Sequence, residues 1–326
     1  MTKLSIIVPV YNVENYIRPC FESIFKQGLC DDEYEVIIVN DGSTDDSKER
    51  IMNFLEDRAP KFKGKKFKYL EKPNGGLSDA RNFGMKEATA DYIAFLDSDD
   101  YVDPTLYEKM YNKAIKTNAD YVECDFYWTY PKKNGKLKLK KDTGVRVTTK
   151  KDMFVYARVV AWNKLIRRSL VDIIFPVGLH YEDVEFFYKL LPDIGNFAVV
   201  EEPLIYYVQR EGSIANKQDY KTAQIFTILN NVIEWYKKHN LYDEYSAEIE
   251  YTYTRIIFCS SLKRIAKIKD NVAREKLFYE TWSNINTKFP NWKQNKYLKK
   301  FSGKNIYMRT ITKFTYKLYC KAFKRK

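Results

Sequence analysis

Four strand-like runs, three of them predominantly apolar, recur in the first part of the chain, each closed by a polar cluster, and the stretches between them carry helical spacing. The runs are residues 3–10 (KLSIIVPV), 34–40 (YEVIIVN), 65–72 (KKFKYLEK) and 91–96 (DYIAFL). Short apolar runs rich in β-branched residues mark buried strands. Between them, residues 14–27 set Tyr16, Ile17, Cys20, Phe21, Ile24 and Phe25 at helical spacing, with Pro19 disturbing the first part. Residues 43–58 begin with capping residues and continue as a helix, and 76–88 form a third. Strands alternating with helices imply right-handed crossovers and a parallel sheet covered by helices, an α/β fold.

Ligands of such sheets bind beyond the carboxyl ends of the strands. Those ends carry YNVEN (11–15), NDGSTDD (40–46), KPNGGLSDARN (72–82) and DSDDYVD (97–103), which together make one site. The last cluster crowds Asp97, Asp99, Asp100 and Asp103 behind a buried strand. Like charges this close repel, and they are costly to desolvate. The turn after the first strand has no glycine and no G-x-x-x-x-G-K-[ST], which argues against a dinucleotide oxidoreductase and a P-loop kinase. A D-x-D at a strand end suits a hard divalent cation, Mg²⁺ or Mn²⁺, which would neutralise both the aspartates and a diphosphate leaving group.

These residues carry a resemblance. The stretches SIIVPVYNVENYIRPCFESI, EVIIVNDGSTDDS, NGGLSDARNFGM and YIAFLDSDDYVDP, followed by WNKLIRRSL, FPVGLHYEDVEFFYKLL and YYVQREGSI, resemble family 2 glycosyltransferases of the GT-A fold over residues 3–215. The resemblance implies a Rossmann-like nucleotide-diphospho-sugar transferase domain over 1–216, with a nucleotide-binding half (1–104) and an acceptor-side half (105–216). A basic helical module, 217–326, would follow as a C-terminal extension.

It also implies roles for single residues. Pro9, Tyr11, Asn12 and Glu14 line the nucleotide pocket, and Asp41 accepts a hydrogen bond from the base. Asn74, Gly75, Gly76, Ser78 and Arg81 hold ribose and phosphates. Asp97 and Ser98 face the nucleotide-sugar, and Asp99 ligates Mn²⁺ or Mg²⁺. Asp183 is the catalytic base. Arg210 and Ser213 close over the pyrophosphate, and Trp162, His180 and Glu182 lie on the acceptor side. The implied reaction is an inverting transfer from a nucleoside-diphosphate sugar, typically a UDP-sugar, to a hydroxyl of a glycan in cell-surface polysaccharide or glycoconjugate synthesis. One carboxylate base and one stabilised leaving group suffice for a single displacement.

Plainer readings stand beside these. Asp97 and Asp99 also fit a strand-end turn that caps the next helix, and Asp41 fits a turn aspartate. Glu182 rivals Asp183 as base, and both fit acidic residues at a helix N-terminus. Arg81 has Asp79 and Glu87 within reach on its own helix, Trp162 fits a core residue, and His180 fits a surface one. A scaffold that binds nucleotide-sugar without turnover is the alternative function. A nucleotidyltransferase would need a glycine-rich basic loop after the first strand, and none is present.

The net charge of +13 is unevenly distributed: residues 261–326 hold 19 of the 56 Lys and Arg but only 3 of the 43 Asp and Glu. Helices are expected over 217–239, 241–269, 271–287 and 296–325. In the last, Tyr307, Ile311, Phe314 and Leu318 make an apolar stripe among lysines. Residues 303–326 therefore read as a helix for an anionic membrane surface, where each basic residue is worth ~1 kcal/mol, or as a packed or oligomerising module. No nucleic-acid motif accompanies the charge. Cys20, Cys30, Cys124, Cys259 and Cys320 are scattered, which suits a reducing compartment. No segment reaches the ~18 apolar residues of a membrane span. The expected location is the cytoplasm, peripheral at the inner membrane face where the acceptor is lipid-linked.

Overall fold

A computed structural model describes residues 2–30, 33–58, 66–132, 136–210 and 220–324. The chain divides into two units, Met1–Arg146 with Arg158–Glu211, and Val147–Ala157 with Gly212–Lys326. The C-terminal helices therefore group with a short segment from the middle of the chain.

The first unit is built on one mixed sheet. Its first strands are β1 (Leu4–Val10), β2 (Tyr34–Asn40), β3 (Lys66–Glu71) and β4 (Tyr92–Phe95). They pair in parallel in the order β3-β2-β1-β4. All residues of β1, β2 and β4 are buried, as their largely apolar character requires, with Ser5 donating to their one acid, Glu35, whereas β3 exposes Lys66 at the sheet margin. Three helices connect these strands: α1 (Ile17–Ile24), α2 (Ser47–Arg58) and α3 (Leu77–Glu87). Helix α1 is shorter than expected. It buries Ile17, Cys20, Phe21 and Ile24 on one face, and Pro19 sits in its first turn, where no intrahelical donor is lost.

Beyond β4 the sheet becomes mixed. β5 (Tyr101–Val102), α4 (Leu106–Thr117), β6 (Tyr121–Pro131) and β7 (Leu137–Asp142) come next. After the excursion into the second unit, β8 (Lys164–Arg167), α6 (Glu182–Leu190) and β9 (Phe197–Val208) complete the unit. The full order is β3-β2-β1-β4-β8-β6-β9-β5, with β7 paired antiparallel to β6 off this path. Strand β8 pairs antiparallel with β4 and β6, while β6 and β9 pair in parallel. Register fixes the functional edge. Val10 lies beside Asn40, Asn40 beside Glu71, and the antiparallel β8 sets Leu165 opposite Ala94. The loops after β1, β2, β3 and β4, and the residues leading into β8, thus share one end of the sheet.

The second unit contains α5 (Lys150–Tyr156) and the helices α7 (Gln224–Lys238), α8 (Tyr242–Arg255), α9 (Leu262–Ile265) and α10 (Asn271–Lys288). A π-helical stretch, Ile256–Ser261, joins α8 to α9. Phe154 of α5 packs on Tyr236 and Tyr245. The single helix expected over 296–325 is a correction. A 3-10 turn, Lys296–Lys299, precedes two helices, α11 (Gly303–Thr310) and α12 (Lys313–Lys324). Ser302 caps α11 by accepting the Asn305 N–H, Ile311 is extended and buried, and the Thr315 hydroxyl accepts the Thr312 N–H. Among the described residues no helix is long and apolar enough to cross a membrane.

Candidate active site

The polar strand ends of the first unit form two linked clusters. In the first, the loops after β1 and β2 hold each other. Asn12, in left-handed backbone (φ 50°), accepts the Thr44 N–H through its side-chain oxygen at 2.8 Å. Glu14 accepts the Asp46 N–H at 3.0 Å. Asp41 turns into the loop after β3: Oδ1 accepts from Lys72 Nζ (2.6 Å) and the Gly75 N–H (2.9 Å). Its Oδ2 accepts from the Gly76 N–H (2.8 Å) and from Asn74 Nδ2 (3.2 Å). Gly42 (φ +67°) lets that loop approach, since an added Cβ would lie 2.9 Å from the Asn74 nitrogen.

The carboxylate of Asp41, expected at a base, is therefore saturated by neighbours and buried. Asn12 and Glu14 bind backbone, and Tyr11 alone among these presents an exposed ring. Pro9, Ser78 and Ser98 are buried beside the loops.

The second cluster surrounds the end of β4. Arg81, 1% exposed on α3, is its hub. Its Nη1 donates to Asp183 Oδ1 (2.6 Å) and Glu182 Oε1 (3.0 Å), and Nη2 donates to Asp97 Oδ1 (2.8 Å). The partners considered on its own helix do not hold it; Asp79 pairs with Lys72 instead. The guanidinium lies 5.2 Å from the ring centre of Phe175, which stacks on Phe186 of α6. Asn82 accepts the Phe175 N–H and donates to its carbonyl, both at 2.8 Å, so α3 pins the segment that leads into α6. Glu182 and Asp183 open α6, where the helix dipole favours acids. Asp183 Oδ2 also accepts the Ala161 N–H at 3.3 Å.

Asp99 accepts from Arg210 Nε at 2.6 Å, and Arg210 lies over the Tyr16 ring at 5.1 Å. Asp100 accepts the Val208 N–H at 2.7 Å, while its other oxygen is buried without a partner among the described residues. The capping role weighed for Asp97 and Asp99 falls to Asp103, which accepts from the Thr105 N–H and hydroxyl ahead of α4. Trp162 is a correction to the acceptor set. It is 5% exposed, stacked on Tyr207 and edge-on to Phe126, so its ring belongs to the core. His180 is half-buried just before α6, and Ser213 lies outside the described residues.

The electrostatics follow from this crowding. Burial, then the Asp97 charge, raises Asp99, with Arg210 opposing. Burial with Asp99 and Asp97 raises Asp100 strongly. Glu182 is pushed up to about 7 by burial and the neighbouring Asp183. Asp183 is raised by burial, against Arg81. Among the described residues no group of three or more His, Cys, Asp or Glu is arranged as a full metal cage. A cation held by one or two carboxylates, with phosphate oxygens and water completing the shell, needs no such cage. Asp99 is one-fifth exposed, and its Oδ2 is taken by Arg210.

Sequence reasoning left three contributors without a role: Lys72, Asp100 and the Ala161 N–H. The first two are charges inside the quoted clusters, so their presence was visible but not their partners. A backbone donor leaves no sequence signal.

The class this fold and site define is that of nucleotide-sugar transferases. The model of glycosyl transferase family 2 matches residues 5–175, and the chain belongs to that family. It is 31% identical over 260 residues to the putative glycosyltransferase EpsH of Bacillus subtilis, covering 72% of each chain. It is 30% identical over 227 residues to the glycosyltransferase GlyA of Streptococcus pneumoniae, covering 65% of this chain but only 31% of that protein. Among solved structures, Staphylococcus aureus TarS 1-349 in complex with UDP aligns over 99% of this chain and 88% of its own, with a TM-score of 0.68 at 20% identity. The fold is GT-A with a C-terminal helical region.

Proposed function

We propose that the protein transfers a sugar from a nucleoside diphosphate, in the first instance UDP, to a hydroxyl of a glycan acceptor, with inversion at the anomeric carbon. The observation that carries this reading is the set of carboxylates gathered by Arg81 at the end of β4. The UDP complex of the structural neighbour supports the choice of nucleotide. The two-unit division, with the helical module outside the sheet, supports assigning donor and base to the first unit.

Asp183 acts as base. It takes the acceptor hydroxyl proton as the new C–O bond forms and the bond to the leaving phosphate oxygen breaks. Arg81 is a positioning residue in this reading: it holds Asp183 and Asp97 in one plane of donors rather than contacting phosphate. Arg210, now paired with Asp99, exchanges that partner for the donor's pyrophosphate, where developing negative charge is largest. A Mg²⁺ or Mn²⁺ ion at Asp99 would supply charge neutralisation of the diphosphate. The scattered placing of the five cysteines, with no C-x-x-C pair, supports a reducing, cytoplasmic setting for cell-surface glycan synthesis.

The test is nucleoside diphosphate release from UDP-, GDP- and dTDP-sugars with glycan acceptors, in Mn²⁺, Mg²⁺ or EDTA. The expected result is turnover of one donor that EDTA abolishes and that Asp99→Asn and Asp183→Asn both lose. Turnover unchanged in Asp183→Asn removes the base assignment, and donor binding with no turnover for any acceptor favours the scaffold.

A further inference from the structure

We propose that helix α12 docks the protein onto an anionic lipid surface through a two-column face that the fold leaves outward. The helix repeats a lysine followed by an apolar residue at every turn: Lys313 and Phe314, Lys317 and Leu318, Lys321 and Ala322. All six are exposed, with Phe314 at 71% and Leu318 at 50%. Residues four apart share one side of a helix, so these form a basic column beside an apolar column.

The other side of α12 is already committed within its unit. Tyr316 and Cys320 are buried, and the Tyr316 hydroxyl donates to the Phe278 carbonyl at 2.7 Å. Tyr319 and Phe323 pack with Tyr307 of α11. The helix therefore cannot roll Phe314 and Leu318 inward without breaking its own core contacts. This face is not the stripe read from the sequence, because Ile311 is buried and the chain breaks beside it.

Charge selects the occupant. No acid occurs in α12, and residues 261–326 carry 19 basic residues against 3 acidic ones. A second copy of the same face would bring like charges together, whereas an anionic headgroup layer accepts the lysine column while the acyl boundary takes the apolar one. With 12 residues, α12 is too short to span, so it would lie in the interface plane.

Sedimentation of the full chain with vesicles tests this. Vesicles of phosphatidylcholine alone are compared with vesicles of equal parts phosphatidylcholine and phosphatidylglycerol. Wild type is expected to pellet only with the anionic vesicles, and each lysine replaced in Lys313→Gln, Lys317→Gln and Lys321→Gln should weaken partitioning about fivefold. Phe314→Ser with Leu318→Ser should release the protein as well, while its melting temperature and turnover of a water-soluble acceptor stay as in wild type. Wild type left in the supernatant overturns the proposal. So does pelleting that survives the Phe314→Ser, Leu318→Ser change, which would mean adsorption by charge alone. Self-association in light scattering that those two changes abolish overturns it in favour of a second copy.

Discussion

Two clusters of buried charge occupy the first unit, and they differ in balance. Around the start of β8, Glu123, Asp125, Asp142 and, at the exposed rim, Glu201 meet Lys164, Arg146 and Arg158, four acids with three bases and so close to balance. At the end of β4, Asp97, Asp99, Asp100, Glu182 and Asp183 stand with Arg81 and Arg210, five acids with two bases. The inner members, Glu123, Asp125 and Lys164 in one cluster and Arg81 and Asp100 in the other, are shielded from water, where uncompensated charge is expensive. The balanced one sets a base against each of its inner acids. The unbalanced one raises Asp99, Asp100, Glu182 and Asp183 toward protonation, through burial first and neighbouring charge next. Surplus charge of one sign, rather than burial or ion pairing as such, separates a ligand-ready site from an internal brace.

The sharpest way to break this contrast is at the base. Asp183→Asn keeps the shape and removes the proton acceptor, so kcat should fall about 10²–10⁴-fold with donor affinity little changed. Steady-state kinetics with a fixed acceptor reads this directly. Arg81→Met comes next. It leaves three carboxylates without their shared cation, which should cost about 3–5 kcal/mol in urea denaturation and lower kcat in the molecules that remain folded. In the balanced cluster, Lys164→Met should also destabilise by about 3–5 kcal/mol, because Glu123 loses its buried cation and, among the described residues, keeps only the Tyr121 hydroxyl. Adding Glu123→Gln should recover most of that loss, and kcat per folded molecule should not move in either variant. If Lys164→Met lowers kcat beyond its effect on folding, the second cluster belongs to the active site and the distinction fails.

The sequence made the sheet legible because β1, β2 and β4 are mostly apolar, with Ser5 and Glu35, which bond each other, among the buried exceptions, and no other element buries such runs as cheaply. The polar strand ends were legible for the same reason: charge that abruptly follows a buried strand has few explanations. Pairings were not legible. Arg81 reaches acids 16 and 101 positions away, contacts set by how α3 and α6 pack and not by local spacing. Trp162 shows the same limit, since its neighbours Phe126 and Tyr207 come from β6 and β9. The break at Ile311 escaped because its periodicity fits a continuous helix. What ends the helix is a run of threonine hydroxyls that satisfies backbone groups in place of the helical ladder.

The smallest effect concerns pH, and it reads the surplus charge without touching the base. Glu182 sits far above its ordinary value, at about 7, because burial and then the Asp183 charge disfavour its ionised form. The folded state thus keeps a proton that the unfolded chain has released. The stability this contributes is fully present below about 4.5 and is lost as pH rises through about 7. Its slope is at most ~1.4 kcal/mol per pH unit. Urea denaturation across that window should show stability falling with pH in wild type, and Glu182→Gln should flatten the fall while Asp183 stays in place. A slope that persists unchanged in Glu182→Gln would mean the excess charge at the end of β4 is not stored on this residue. The balanced and unbalanced clusters would then differ in composition only, not in the free energy that a cationic ligand is expected to relieve.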